Sequence, residues 1–163
     1  MSRAGSVETE VKLRVVSPEA ARALLGRCGA RLVAARHFED NRLFDDAEAS
    51  LRSRGAMLRL RRTPACATLT FKGPRRIVEG LKTREERETD VADADETEAI
   101  LRALGLAPGF RYQKYREVWA LGGAEVVVDE TPIGCFLEIE GEADAIHGVA
   151  SSLGFSSRDY LAE

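Results

Sequence analysis

The sequence lacks long hydrophobic runs. Among its 163 residues, apolar stretches such as Val126–Val128 are far shorter than the roughly 20 residues that a membrane-spanning helix needs. The first five residues, Met1-Ser2-Arg3-Ala4-Gly5, also lack the apolar stretch of a secretory signal. We therefore expect no membrane association and a location in the cytoplasm.

Cysteine and histidine are also scarce. Cys28, Cys66 and Cys135 are widely spaced, and no CxxC pair or cluster with His37 or His147 suggests a zinc site. We interpret the three cysteines as buried small side chains and assign no catalytic role to either histidine.

The chain has no excess of positive charge. Its formal net charge of −3 disfavours a dedicated nucleic-acid binder, which would need a basic face. The hydrophobic fraction of 44% is sufficient for a sizeable core, so we expect one domain over residues 1–163, as a monomer or a homodimer. Because 31% of the residues are charged, the placement of the charges matters more than their sum.

Three segments have the pattern of helices, each ending at a glycine. The first begins at Ser17-Pro18, where a hydroxyl cap precedes proline, and ends before Gly29. The second begins near Asp93 to Asp95, and the third follows Glu142. Their apolar positions at helical spacing are Ile100, Leu101 and Leu104 in the second, and Ile146, Val149 and Leu153 in the third.

The remaining segments alternate between apolar and polar residues, which predicts about eight strands. They are 7–15, 37–44, 57–62, 67–72, 81–91, 112–121, 125–129 and 135–140. Because short links join successive strands, the pattern predicts an α+β fold with a mostly antiparallel sheet. Gly122-Gly123 is typical of a hairpin turn.

Charged residues recur two positions apart on these strands and therefore share a face. Glu8, Glu10, Lys12 and Arg14 form one such row, opposite Val7, Thr9, Val11 and Leu13. The other rows are Arg59 with Arg61, Arg84 with Glu86 and Glu88, Lys114 with Arg116, and Glu138 with Glu140; Lys72 and Asp129 end two more. The opposite faces carry Leu58 and Leu60, Leu69 and Phe71, Tyr115, and Leu137 and Ile139, which we expect to pack under helices.

Two interpretations of these rows are open. A solvated sheet face explains any one strand, but like charges side by side repel, and the pattern recurs on six or seven strands. Closing the sheet into a barrel would direct the rows into a polar lumen, where a polyanion and metal ions would compensate them. We predict this closed arrangement, with the helices packed outside.

The residue types indicate which ligands such a lumen would bind. Carboxylate oxygens suit Mg²⁺ or Mn²⁺, and the candidates are Glu8, Glu10, Asp129, Glu138 and Glu140. Arginine and lysine suit phosphate, and the candidates are Lys12, Arg59, Arg61, Lys72, Arg84, Lys114 and Arg116. The number of cations favours a triphosphate.

These motifs resemble the CYTH family, the triphosphate tunnel metalloenzymes, over nearly the whole chain. The resemblance rests on Glu8-Thr9-Glu10-Val11-Lys12, Arg59-Leu60-Arg61, Thr70-Phe71-Lys72-Gly73, Arg84-Glu85-Glu86-Arg87-Glu88, Lys114-Tyr115-Arg116, Asp129 and Gly134–Glu140, in the family's order. It implies an eight-stranded antiparallel barrel in which the basic residues named above, together with Arg14, bind the triphosphate. It also implies that the acidic residues named above, together with Glu86 and Glu88, bind one or two Mg²⁺ or Mn²⁺ ions.

The resemblance leaves several activities open. It favours a triphosphatase acting on tripolyphosphate, ATP or thiamine triphosphate, with class IV adenylate cyclase and a non-catalytic polyphosphate-binding module as alternatives. The tyrosine that helps to activate water in several relatives has no counterpart in Glu39–Phe44. Lys12 with a metal-bound water is therefore the hydrolytic hypothesis, and Lys12 and Glu10 are the candidate catalytic residues. An RNA 5′-triphosphatase is disfavoured because no basic track is visible.

Overall fold

The computed structural model of the chain describes residues 6–161. This range contains nine strands and four α-helices, followed by a 3-10 helix, Ser157–Asp159. In chain order the elements are β1 (Ser6–Val15), α1 (Pro18–Arg27), β2 (Arg31–Asp45), α2 (Ser50–Ser53), β3 (Met57–Arg62), β4 (Ala67–Lys72), β5 (Arg76–Val78), β6 (Leu81–Val91), α3 (Ala94–Ala103), β7 (Ala107–Leu121), β8 (Ala124–Thr131), β9 (Gly134–Glu140) and α4 (Ala143–Ser152).

The strands form one sheet in the order β1-β9-β8-β7-β2-β3-β4-β6-β5, and β1 also pairs with β6. The order of pairing is therefore cyclic. Adjacent strands such as β1 and β9, β3 and β4, and β7 and β8 run antiparallel. The structure thus confirms the predicted α+β class and the antiparallel, ring-like sheet.

The eight predicted strands and three predicted helices are all present. Two strands begin earlier than their alternation indicates, β2 at Arg31 and β7 at Ala107. The sequence shows no pattern for α2 or β5, because four and three residues are too short to have a visible period. Instead, α2 is held by the Asp45 carboxylate, which accepts hydrogen bonds from the backbone N–H groups of Leu51 and Arg52, both at 2.9 Å.

Side-chain caps begin α1, as the sequence predicts, and also α3. The Ser17 hydroxyl accepts a hydrogen bond from the Ala20 N–H at 3.2 Å, and Pro18 follows as the first helical residue. Asp93 accepts from the N–H groups of Asp95 and Glu96, both at 2.9 Å. Each cap satisfies backbone donors that a helix leaves unpaired at its start, which is why both helices begin where they do.

The chain folds into two compact units, each with its own apolar core. The first unit contains residues 6–7, Phe38–Arg76 and Arg84–Gln113, and its core is built from Phe44, Leu60 and Leu101. The second unit contains Glu8–His37, Ile77–Thr83 and residues 114–161. Its buried core consists of Val11, Leu13, Val15, Ala21, Leu25, Leu81, Ala124, Val126, Val128, Cys135, Leu137, Ile139, Ile146, Val149, Ala150 and Leu153.

Some of the predicted apolar positions are not buried. On α3, Leu101 is buried, but Ile100 is 54% exposed and the following Leu104 is 71% exposed. Tyr115 does not pack under a helix: it is 39% exposed, and the Arg36 guanidinium lies 3.6 Å from its ring centroid. Of the cysteines only Cys135 is buried, since Cys66 lies in an exposed turn and Cys28 is half-buried.

The predicted hairpin turn between β7 and β8 depends on glycine. Gly122 and Gly123 have φ angles of 55° and 81°, a region that other residues enter at a cost. A Cβ on Gly122 would also lie 2.9 Å from Val149 Cγ2, whereas one on Gly123 would meet nothing within 4 Å. Gly122 is therefore restricted both by its backbone conformation and by its closeness to Val149 of α4, whereas Gly123 is restricted by its backbone conformation alone.

We expect Gly122→Ala to lower the free energy of unfolding by about 2–4 kcal/mol, because overpacking adds to backbone strain. Gly123→Ala, the matched control, should cost only about 1 kcal/mol from strain. Urea denaturation of the two variants and the wild type measures both values. Equal losses for the two variants would contradict the proposed contact with Val149.

No helix within residues 6–161 combines the length and apolarity needed to cross a membrane.

Candidate functional site

β1, which carries the ExExK motif formed by Glu8, Glu10 and Lys12, and its neighbour β9 present charged side chains on the same face. Lys12 is the Cα partner of Glu138, and their Nζ and Oε1 atoms lie 3.3 Å apart. The Lys12 ammonium also lies 4.6 Å from the centroid of the Phe136 ring. The antiparallel register thus places the candidate catalytic lysine beside a candidate metal ligand, and it remains one-quarter exposed.

Asp129 on β8 is the most deeply buried of the predicted site residues, with 1% of its side chain exposed. Its carboxylate accepts hydrogen bonds from Lys114 Nζ at 2.7 Å and from Arg116 Nε and Nη2 at 2.7 and 2.6 Å. Arg116 Nη2 also donates to Glu138 Oε2 at 2.7 Å. Since Lys12 joins through Glu138, three cations converge on two carboxylates.

The charge cluster lowers the pKa of Glu138. Burial by itself would raise that pKa, but Arg116, Lys114 and Lys12 outweigh it and hold the pKa well below its usual range. Because the folded pKa is lower than that of the unfolded chain, the ionised form stabilises the fold at neutral pH. This stabilisation is present above the unfolded pKa of about 4.3 and is lost as the pH falls toward the folded value.

We therefore expect the stability difference between the wild type and Glu138→Gln to depend on pH in the acidic range. At pH 7 the variant should be the less stable protein, and the difference should narrow as the pH falls from about 5 to 3. Urea unfolding across this range measures the difference. A difference that stays constant with pH would show that the charge of Glu138 does not stabilise the fold.

The two glutamates of the ExExK motif lie in the same row of β1. Glu8 is 8% exposed, and Glu10 Oε1 lies 3.5 Å from Lys82 Nζ. Lys82 is not among the site residues predicted from the sequence. It points to the same face of the strand 81–91 as Arg84, Glu86 and Glu88, so the alternation of that strand could have identified it. Glu140, the Cα partner of Glu10, lies in an exposed position at the end of β9.

In the first unit, the predicted basic pair on β3 faces Glu88 of β6. Glu88 Oε2 lies 3.2 Å from Arg61 Nη2 and 3.7 Å from Arg59 Nη2, and it accepts a hydrogen bond from the Thr70 hydroxyl at 2.6 Å. Arg59 Nη2 also donates to Thr70, and its Nη1 lies 3.5 Å from the Tyr112 hydroxyl. The two guanidinium groups thus share one carboxylate.

The other predicted cations of the first unit have different partners. Lys72 Nζ lies 3.2 Å from Glu86 Oε2, whereas Arg84 donates to the carbonyl oxygen of Gly73 through Nε at 2.9 Å and Nη2 at 2.7 Å. Arg84 is therefore held by a backbone carbonyl. In the second unit Arg14 lies exposed at the end of its row, with its guanidinium 5.1 Å from the Phe136 ring centroid.

Two buried residues of β2, Glu39 and Asn41, are also missing from the sequence-based set. Glu39 is 2% exposed and its Oε1 lies 3.4 Å from Arg61 Nη1, while Asn41 is fully buried as the Cα partner of Arg61. Both belong to the strand predicted over 37–44, on the same parity. The alternation would have identified them, but a single acid beside a neutral amide lacks the paired like charges on which our selection relied.

The structure groups the predicted residues within each unit. Arg59, Arg61, Lys72, Arg84, Glu86 and Glu88 belong to the first unit, and Glu8, Glu10, Lys12, Arg14, Lys114, Arg116, Asp129, Glu138 and Glu140 belong to the second. Carboxylates and cations alternate as ion pairs in both. Such pairs can open when phosphate oxygens replace the carboxylates as partners of the cations.

The carboxylates suit a divalent metal ion in donor type. Glu10 and Glu140 are Cα partners on adjacent strands, where like charges repel unless a cation lies between them. Within residues 6–161, no three His, Cys, Asp or Glu side chains are already grouped as a metal site. A metal ion at Glu10 would therefore have to displace Lys82 from that carboxylate.

A family model, the CYTH domain, matches residues 6–153. A candidate adenylate cyclase from Vibrio parahaemolyticus has a similar structure, with a TM-score of 0.86 and 19% identity, covering 98% of this chain and 95% of that one. A conserved hypothetical protein from Pyrococcus furiosus gives a TM-score of 0.80 and 22% identity, covering 96% of each chain.

A candidate adenylyl cyclase from Hippeastrum, whose dominant activity is that of a triphosphatase, gives a TM-score of 0.71 and 22% identity, covering 96% of this chain and 90% of that one. No curated protein matches the sequence. These low identities show a shared fold, whereas the family model spans most of the sequence and every predicted site residue. The chain therefore belongs to the CYTH family.

Proposed function

We propose that the chain is a metal-dependent triphosphatase. The observation that carries this proposal is the cluster around Asp129, in which Lys114, Arg116 and Lys12 converge on the carboxylates of Asp129 and Glu138. These cations lie on the strands predicted to bind phosphate, and phosphate oxygens can take the place of carboxylates as their partners. Membership of the CYTH family and the triphosphatase activity of the Hippeastrum neighbour support the same interpretation.

The cations of the chain would bind the triphosphate and offset the charge that develops during the reaction. Arg59 and Arg61 can bind phosphate oxygens through two N–H groups each, and Lys12, Lys72 and Lys114 act as point charges. Water would attack the terminal phosphorus in line, forming a new P–O bond while the bridging P–O bond breaks. The electron pair leaves on the departing chain, where neighbouring cations stabilise it, and the proton that the attacking water loses is released to solvent.

The oxygen donors of the site would hold the divalent ion, Mg²⁺ or Mn²⁺. Those that we propose are Glu8, Glu10, Glu86, Glu88, Asp129, Glu138 and Glu140. A bound ion supplies Lewis-acid polarisation of phosphoryl oxygens. The cations remain responsible for positioning the substrate.

Adenylate cyclase is the second candidate, supported by the candidate adenylate cyclase of Vibrio parahaemolyticus. In that reaction the 3′-hydroxyl of ATP attacks the α-phosphorus and pyrophosphate leaves. The same cations could serve both reactions. The direction in which the nucleotide binds decides between them.

One assay separates the candidates. Purified protein is incubated with Mg²⁺ or Mn²⁺ and, in parallel, with tripolyphosphate, ATP and thiamine triphosphate, and both orthophosphate and cyclic AMP are measured. We expect orthophosphate from at least one substrate and no cyclic AMP from ATP. Cyclic AMP with stoichiometric pyrophosphate would replace the triphosphatase proposal with a cyclase, and tight binding without turnover would indicate a polyphosphate-binding module.

A further inference from the structure

Asn41 is a fully buried polar residue whose side chain has no hydrogen-bond partner within residues 6–161. It is 0% exposed, and both its amide nitrogen Nδ2 and its carbonyl oxygen Oδ1 are unpaired. Buried amide groups in folded proteins almost always have a partner. Leaving both ends unpaired costs stability, so the protein retains here a group that does not contribute to holding the fold together.

Asn41 lies on the same face of the sheet as Arg61, one of the candidate phosphate-binding residues. Asn41 is the Cα partner of Arg61, whose guanidinium reaches both Glu39 and Glu88. Residues of the opposite parity on the same strand face elsewhere. Asp40 accepts hydrogen bonds from Arg111, and Phe44 belongs to the apolar core.

The neighbours of Asn41 explain why a neutral amide fits this place. Glu39, two residues before it, is 2% exposed and lies 3.4 Å from Arg61. Another carboxylate at position 41 would repel a phosphate and use up the charge of Arg61, whereas an additional cation would bind Glu39 and hold it. An amide offers donor and acceptor atoms without changing the charge.

We propose that Asn41 is a positioning residue of the triphosphatase reaction, whose amide takes its partners from the substrate complex. Its Nδ2 donates to an oxygen of the terminal phosphoryl group, and its Oδ1 accepts from the attacking water, directing a lone pair of that water at phosphorus. The inference rests on the proposed triphosphatase function.

Asn41→Leu tests the inference because leucine has a similar volume and no polar atoms. Removing an unpaired buried amide should raise the melting temperature by about 2–4 °C for a chain of this size. The same change should lower kcat on the best triphosphate substrate by about 10²-fold, since a donor and an orienting acceptor are both lost. KM should change by less than about threefold, because the cations that bind the substrate remain.

Two further variants separate positioning from a structural role. Threonine at position 41 supplies a hydroxyl that can donate and accept a hydrogen bond. The kcat of Asn41→Thr should therefore be about tenfold higher than that of Asn41→Leu. Gln113→Leu is the matched control, since it removes an exposed amide from β7 that helps to bind Asp40 and not Arg61. It should leave both kcat and KM unchanged.

The outcomes are distinct. A more stable Asn41→Leu protein with reduced kcat, partly rescued in Asn41→Thr, supports the inference. Wild-type kcat in Asn41→Leu overturns the inference and shows that hydrolysis does not need the amide. A loss of stability together with activity also overturns it and identifies the amide as bound to structural water. A wild-type protein that hydrolyses no triphosphate overturns the proposed function itself, and with it any role of Asn41 in hydrolysis.

Discussion

Replacing Lys12 with methionine is expected to lower kcat by about 10²–10⁴-fold with little change in the free energy of unfolding. Methionine keeps an unbranched apolar stem of similar length but removes the charge that would offset the developing negative charge of the reaction. The side chain is one-quarter exposed, so the loss of its pairing with Glu138 should cost little stability. Steady-state kinetics and urea unfolding of the same preparation measure the two effects.

Glu10→Gln should produce a comparable loss of turnover, because the amide binds a divalent ion more weakly than the carboxylate does. Arg87→Met is the matched control. The Arg87 side chain is 65% exposed, pairs with Glu85 and points to the opposite face of β6 from Glu86 and Glu88. It should retain wild-type kcat. Normal activity in either Lys12→Met or Glu10→Gln would mean that these residues have been wrongly assigned to the site.

Asp129→Asn is expected to lower the free energy of unfolding by about 3–5 kcal/mol in the absence of substrate, because two buried cations lose their shared counter-charge. Lys114 is 8% exposed and Arg116 is 15% exposed, so water cannot fully replace the carboxylate. Tripolyphosphate should restore part of this loss by supplying negative charge to the same cations. Thermal melts with and without tripolyphosphate provide the comparison.

The adjacent residue Glu130 supplies the control. Its carboxylate pairs with Arg22 and Arg36 and is 24% exposed, so Glu130→Gln should cost less and gain no extra stabilisation from tripolyphosphate relative to the wild type. The explanation of Asp129 would fail if Asp129→Asn were as stable as the wild type. It would equally fail if tripolyphosphate raised the melting temperature of both variants by the same amount.

Strand periodicity predicts much of this fold because alternation is visible wherever one face is apolar. The ranges predicted for β3, β4 and β6 agree with the structure at both ends. The start of β2, by contrast, has exposed residues on both faces, so Arg31–Arg36 shows no alternation to detect. Short elements such as α2 are set by local hydrogen bonds from Asp45, which no periodicity reveals.

The same parity also predicts which charged side chains share a face, but not how they pair. The pair of Lys12 with Glu138 depends on the register of β1 with β9. The pair of Lys114 with Asp129 depends on the register of β7 with β8 and on the reach of the lysine side chain. Our selection favoured paired like charges and therefore missed Lys82, Glu39 and Asn41. Asn41 in particular is conspicuous only when its burial and its unpaired amide are seen together.

The function proposed for this chain requires the cations of the predicted rows to bind a triphosphate. Isothermal titration with tripolyphosphate measures this binding in Arg61→Met, in Lys114→Met and in a control, Arg111→Met, whose side chain lies outside the rows and is 52% exposed. We predict that Arg61→Met and Lys114→Met each bind tripolyphosphate about tenfold or more weakly than the wild type, and that the affinity of the control is unchanged. Wild-type affinity in either of the first two variants would contradict the account.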